Sequence, residues 1–290
     1  MDTRWLYVTA EEFPQLRELA KETCIVPLGC VEKHGLHLPV GQDIMQVSHI
    51  AYEASKLEPV CVFPDVAFGD INGGTNPDDG YIEMPLELRN LMLDHFCDQI
   101  ARNGYKKIII YNGHGGNSAW LSSFLRKLED RKHDYVVVVV MIKLQAPHMM
   151  AEKILAEGRG CIPELTTEDE DLLLKYHAEN MKIGHGGFGE TSYMMGIAPD
   201  CVHMEYLGRE SGLGQNLTQK FSDAGIQLRD SGWFVNYPNA FSGHDPIGCN
   251  ERIGKAAVRL EAERLANAIK VMKEDEDLLR WHGEKQARYK

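Results

Sequence analysis

Long apolar runs are missing from this 290-residue chain. The longest, Tyr135 to Ile142, is far short of the roughly 20 residues that cross a bilayer, so a membrane-spanning role is excluded. The start, "MDTRWLYVTAEEFPQL", has neither the basic opening nor the apolar core of a secretory leader. Cysteine is scarce and unpaired in pattern: seven residues, an odd number, scattered and without a C-x-x-C pair. That argues against a disulfide framework and for a reduced, cytoplasmic chain. Basic charge is also short, with 31 Lys and Arg against 43 Asp and Glu and a net charge of −12. So acidic a surface repels phosphate backbones and anionic lipid, and no basic run interleaves with aromatics; nucleic acid and membranes are excluded as partners. In the glycine-rich stretch 111–120 neither G-x-x-x-x-G-K-[ST] nor G-x-G-x-x-G occurs, which weakens a nucleotide-binding reading there. Internal repeats and low-complexity linkers are absent too, and one domain spanning 1–290 is expected.

What is present is an alternation of strand-like and helix-like segments. Strands are expected at Cys24–Gly29, Val60–Val66, Lys106–Gly113 and Tyr135–Ile142, the last continuous and β-branched like a strand covered on both faces. Helices are expected at Ile44–Glu58, Leu86–Gly104, Asn117–Asp130 after an Asn cap, and Glu251–Asp275. Such alternation implies a parallel sheet between helices. The acidic stretch Glu152–Glu179 reads as an insertion or lid.

Open parallel sheets bind ligands beyond the carboxyl ends of their strands, and chemistry-bearing residues gather at those places. After the first strand, "VPLGCVEKHGLHLPVGQD" (26–43) packs Glu32, His34, His37 and Asp43 among glycines and prolines. Glu32 and His34, two apart in an extended segment, point to one side. Asp43, just before a helix, can return to the same cavity, although taken alone it reads as an N-cap. Single loop histidines are usually solvated, but imidazoles and carboxylates converging at a strand end are what a divalent metal requires. "YNGHGGNSAW" (111–120) sets His114 directly after another strand; alternatively it is a glycine-rich turn or an anion-binding helix start. "GHGGFGETSYMMG" (184–196) carries His185 and Glu190; alone it is a glycine loop with a carboxylate in the first helical turn.

The three stretches together resemble the creatininase (creatinine amidohydrolase) family. The matching patterns are P-x-G-x-x-E-x-H-G-x-H-L-P-x-x-x-D at Pro27–Asp43, N-G-H-G-G-N at Asn112–Asn117 and H-x-G-x-x-E-T-S at His185–Ser192, with "SGHDPIGCNERIGKAA" (242–257) similar to the family's closing segment. The resemblance implies a three-layer α/β/α sandwich with a mostly parallel sheet, a homo-oligomer such as a hexamer, and two divalent metal ions per chain. Glu32 and His114 match ligands of one metal, His34 a ligand of the other, and Asp43 the bridge. His37 falls on a recurrent position and is expected to orient its neighbours. Where creatininase itself has a metal-binding glutamate in the His114 loop, this chain has Gly116; either Glu190 is the replacement ligand or the second metal is bound weakly with more water, and Glu190 is otherwise the base that takes a proton from water. Phe188 stands where an acidic residue is common, which implies a different substrate pocket.

The implied activity is that of a metal-dependent hydrolase. A dimetal centre of zinc, manganese or iron activates water to attack a carbonyl of a small polar substrate, a cyclic amide or N-acyl compound, with His185 shuttling a proton to the leaving nitrogen. One alternative is hydrolysis of an oxidised cyclic polyol or sugar-like ketone, favoured by the polar loop Asp70–Asp79 with Asn72 and Asn76. Another is a non-catalytic, metal-stabilised small-molecule binding protein.

Overall fold

A computed structural model describes residues 1–71, 77–228 and 230–288. In chain order the elements are α1 (Phe13–Leu19), β1 (Thr23–Leu28), α2 (Gln42–Leu57), β2 (Cys61–Val62), α3 (Leu86–Arg102), β3 (Lys107–Asn112), α4 (Asn117–Leu128) and β4 (Val136–Met141). They are followed by α5 (Ala146–Glu157), α6 (Thr167–Ala178), α7 (Phe188–Ile197), α8 (Gln219–Asp223), α9 (Asp230–Asn236), α10 (Glu251–Glu274) and α11 (Asp277–Gln286).

The four strands form a parallel sheet in the order β2-β1-β3-β4. Alternation along the strands divides the core in two. Ile25, Ile109 and Tyr111 face one side, where α2, α5, α6, α7 and α10 pack. Cys24, Val26, Leu28, Ile108 and Ile110 face the other, against α1, α3 and α4. Helices on both faces of a parallel sheet make the expected three-layer α/β/α sandwich.

Several local expectations are corrected. β2 is only two residues long, not a strand from Val60 to Val66, because the ladder is interrupted around Pro64, which has no amide to donate, and resumes only as a single parallel bridge between Val66 and Leu28. β4 touches both apolar layers, yet residues 137–141 are only half-buried, because it is the sheet's edge strand and one side lacks a neighbour among the described residues. The segment Glu152–Glu179 is not a lid: Ile154, Leu173 and Tyr176 of α5 and α6 are buried in the larger core cluster. Its acidic character belongs to a capping box, in which the Thr166 hydroxyl accepts from the Asp169 amide and the Asp169 carboxylate accepts from the Thr166 amide.

Candidate metal centre

The carboxyl ends of β1 and β3 lie side by side, with Leu28 opposite Asn112 in the parallel register. That pairing brings the segment from Cys30 to Asp43 against the loop that holds His114. The third contributor, α7, is drawn in by α10. A Cβ on Gly254 would stand 2.3 Å from the Gly196 amide nitrogen and 2.5 Å from the Ser192 carbonyl oxygen, so glycine is what lets the two helices approach. Glu190, in the first turn of α7, then faces the strand ends.

The asparagines of N-G-H-G-G-N fix the His114 loop. Asn112 Oδ1 accepts from the His114 amide at 3.1 Å and from Asn117 Nδ2 at 2.8 Å, while Asn112 Nδ2 donates to the His114 carbonyl. Asn117 Oδ1 accepts from the Asp70 amide at 2.6 Å. Asn117 is therefore not the cap of α4; Gly116 holds that position, and the Asn117 side chain ties two loops together. Asp43 is not a cap either. Gly41 occupies the N-cap of α2, and the Asp43 carboxylate, fully buried, turns towards the histidines.

Three imidazoles share one arrangement. His34 Nδ1 lies 3.1 Å from the Glu32 carbonyl oxygen, His114 Nε2 lies 2.9 Å from the Asp70 carbonyl, and His185 Nε2 lies 2.7 Å from the Lys33 carbonyl. A carbonyl only accepts, so each of these nitrogens carries the proton and the opposite nitrogen presents a lone pair. Those lone pairs are directed at carboxylates. His114 Nδ1 is 2.8 Å from Glu32 Oε1 and 3.0 Å from Asp43 Oδ2. His34 Nε2 is 3.3 Å from Asp43 Oδ1 and 3.8 Å from Glu190 Oε2. His185 Nδ1 is 3.7 Å from Glu32 Oε1, and its ring stacks on His34 with centroids 4.0 Å apart. Glu32 Oε1 and His34 Nε2 are buried without a hydrogen-bond partner. Lone pair against carboxylate is repulsive unless positive charge lies between them, and such backbone-anchored imidazoles are the usual surroundings of a metal.

The electrostatics agree. Burial alone would lower the His34 pKa, but Asp43, Glu190 and Glu32 outweigh it and push it to about 10. Burial would raise Asp43, yet His34 and His114 hold it well below the usual carboxylate range. Burial pushes Glu190 up to about 7. The field of three buried carboxylates favours positive charge at this spot, whether on imidazole protons or on a cation.

Two ligand-shaped groups result: Cys30, Glu32, Asp43 and His114, and beside them His34, Asp43 and Glu190. Asp43 directs Oδ2 into the first and Oδ1 into the second. His185 borders the pair, grouped with Glu32 and His34. His37 stands apart, its Nε2 3.0 Å from Thr191 Oγ1, where it ties the first motif to α7. Phe188 is buried against Tyr176 in the core, so the substrate pocket gains nothing from it. Of the polar loop, Asn72 and Asn76 lie outside the described residues; the Asp70 carboxylate pairs with Arg89, and Asp79 lies 3.5 Å from Lys33.

A cavity of about 360 Å³ opens onto this cluster. Glu32, His114, His185 and Glu190 line its polar floor; Leu144, Ile183, Trp233 and Phe234 line its walls. Trp233 meets His185 edge-on at 5.3 Å. Sequence reasoning missed Trp233 and Phe234, which lie far from any motif and left no signal. It also missed Cys30, which did leave one: Cys30, Glu32 and His34 alternate along one extended segment and so share a side.

A parallel-sheet sandwich with imidazoles and carboxylates converging beyond its strand ends defines a candidate metal-dependent hydrolase. Residues 7–269 match the family model described as creatinine amidohydrolase, and the chain belongs to the creatininase family. It is 23% identical over 190 residues to the creatinine amidohydrolase of Pseudomonas putida, covering 62% of this chain and 66% of that protein. It is 28% identical over 182 residues to a 2-amino-5-formylamino-6-ribosylaminopyrimidin-4(3H)-one 5'-monophosphate deformylase of Methanobrevibacter ruminantium, covering 58% and 70%. The solved structure of a creatinine amidohydrolase (creatininase) superposes with a TM-score of 0.69 at 18% identity, covering 94% of this chain and 99% of that one, a likeness of fold. Similar solved creatininases include a manganese form and a zinc–zinc form. Among the described residues, no helix is long and apolar enough to cross a membrane.

Proposed function

We propose that this chain is a metal-dependent amidohydrolase that opens a cyclic amide, or removes an acyl group from nitrogen, in a small polar substrate. The observation that carries the reading is the set of three imidazoles anchored to backbone carbonyls with their bare nitrogens turned onto shared carboxylates. Glu32, Asp43 and His114 would hold one divalent ion and His34, Asp43 and Glu190 a second, with Asp43 serving both. Zinc, manganese or iron held there supplies polarisation of the substrate carbonyl and a water acidic enough to attack near neutral pH.

The chain's own groups do the positioning and the proton traffic. His185, its Nε2–H committed to the Lys33 carbonyl, presents Nδ1 as a base beside the cavity and is the group to carry a proton to the departing nitrogen. Glu190 fits a ligand better than a free base, because Oε2 accepts from the Gly186 amide at 2.5 Å and is held in place beside His34. Trp233 and Phe234 exclude water from one wall and offer flat surfaces to a planar amide. Both curated relatives are named for cutting a carbonyl–nitrogen bond, which favours the amide over a cyclic ketone.

The test is protein stripped by a chelator, reloaded with single metals, and assayed against lactams, N-formyl amines and cyclic ketones. Amide hydrolysis that appears only on reloading is expected. Ketone cleavage alone, or undiminished amide hydrolysis by metal-free protein, overturns the reading.

A further inference from the structure

Cys30 is fully buried and lies two residues before Glu32, on the same side of the segment that follows β1. Its Sγ–H donates to Asp43 Oδ2 at 3.0 Å, the same oxygen that faces His114 Nδ1. Its sulfur, with one ligand atom each from Glu32, Asp43 and His114, belongs to a set of four whose members all lie within 4.8 Å of one another. Four donors at zinc bond lengths of about 2.0–2.3 Å form a tetrahedron with edges of roughly 3.3–3.8 Å. The separations here, 2.8 Å from His114 Nδ1 to Glu32 Oε1 and 3.0 Å from Asp43 Oδ2 to both His114 Nδ1 and Cys30 Sγ, need only a small expansion to reach it. An independent observation also calls for a ligand. Glu32 is only 6% exposed, yet its Oε1 has no hydrogen-bond partner, and it points into this same group.

We propose that Cys30 is the fourth ligand of the Glu32–Asp43–His114 position, making it a closed, sulfur-containing site that selects zinc over manganese. The neighbouring His34–Asp43–Glu190 position, with one nitrogen and two carboxylates, keeps room for substrate and tolerates harder ions. Thiolate suits zinc and disfavours manganese, whose preferred donors are oxygens. Four protein ligands also mark a site that holds its ion rather than exchanging it for substrate. Coordination releases the Cys30 thiol proton to the buffer. The inference rests on the metal reading above and divides labour between its two positions.

The experiment measures metal content first, then the near-ultraviolet spectrum of cobalt-loaded protein, then zinc uptake against equimolar manganese. Wild type should show thiolate-to-cobalt charge transfer. Cys30→Ser, which keeps the size and the hydrogen bond to Asp43, should lose that band and lose zinc preference by about 10-fold or more, at least what removal of an outer partner costs a metal site. Metal-loaded wild type without the band, or a Cys30→Ser variant with both band and zinc preference unchanged, makes Cys30 only a hydrogen-bond donor to Asp43 and overturns the inference. Wild type that takes up no metal overturns the metal reading along with it. The wild-type spectrum decides the matter even if the variant fails to fold.

Discussion

At the scale of single residues, Gly116 explains why one expected carboxylate is missing. A Cβ there would sit 2.3 Å from His114 Nε2 and 2.7 Å from the Asp70 carbonyl, on top of the hydrogen bond that fixes the His114 ring. No side chain fits without moving that ring, and Glu190 faces the cluster from α7 instead. Gly116→Ala is expected to keep the fold and weaken metal binding by about 10–100-fold, as loss of an orienting partner does. Equilibrium dialysis with zinc is the check, and unchanged affinity would mean that the His114 orientation is not set by Asp70. Asp43→Ala removes the carboxylate shared by both groups, so metal analysis should find at most one loosely held ion. Glu190→Gln should empty the His34 side while the Glu32 side stays filled. Much of this clustering was legible, because Glu32, His34, Asp43 and His114 lie in glycine-flanked motifs after strands and Glu190 in a glycine-flanked motif that opens a helix. The place of Asp43 in its helix was not, since a cap and a residue two positions inside the first turn look alike until the side chain's direction is known.

At the scale of elements, Asp169 joins two helices that the sequence kept apart. Its carboxylate caps α6 through Thr166 and accepts from Asn250 Nδ2 at 2.8 Å and Arg252 Nε at 2.7 Å at the start of α10. Burial would raise its pKa, but the Arg252 guanidinium, the Thr166 amide and Asn250 outweigh it and hold it below the ordinary carboxylate range. A group depressed in the folded state binds more protons when unfolded. Its stabilisation is therefore complete above the unfolded pKa of about 3.9 and is lost as pH falls towards the folded value. Asp169→Asn should cost about 2 kcal/mol at neutral pH and progressively less in acid, read from urea midpoints across that range. A constant cost at all pH values would mean that its charge is irrelevant. The stretch Glu152–Glu179 misled as a lid because its acids crowd the first turn of α6, while Leu173 and Tyr176, spaced for one face, reach the core. Strand β4 misled because β-branched continuity reports contact with two layers and says nothing about a missing lateral neighbour.

At the scale of the whole molecule, the ligands come from three separated stretches: the segment after β1, the loop after β3, and α7. Metal bound at 100 times its dissociation constant adds about 2.7 kcal/mol of stability, worth roughly 5 °C or more in a chain of this size. A chelator should lower the melting temperature by that order, and the shift should vanish in Asp43→Ala. Metal-free and loaded wild type melting together would show that the cluster takes up no ion. The parallel pairing that sets Leu28 beside Asn112 also has a consequence for folding kinetics. Its contacts close a long loop, a slow event that must be largely complete before His114 can meet Glu32. Interactions made after the transition state alter the unfolding rate and leave the folding rate alone. Saturating metal should therefore lengthen the lifetime of the native state in stopped-flow unfolding while the refolding half-time stays where it is without metal, and a refolding rate that climbs with metal would mean that the ligand loops find one another before the sheet does.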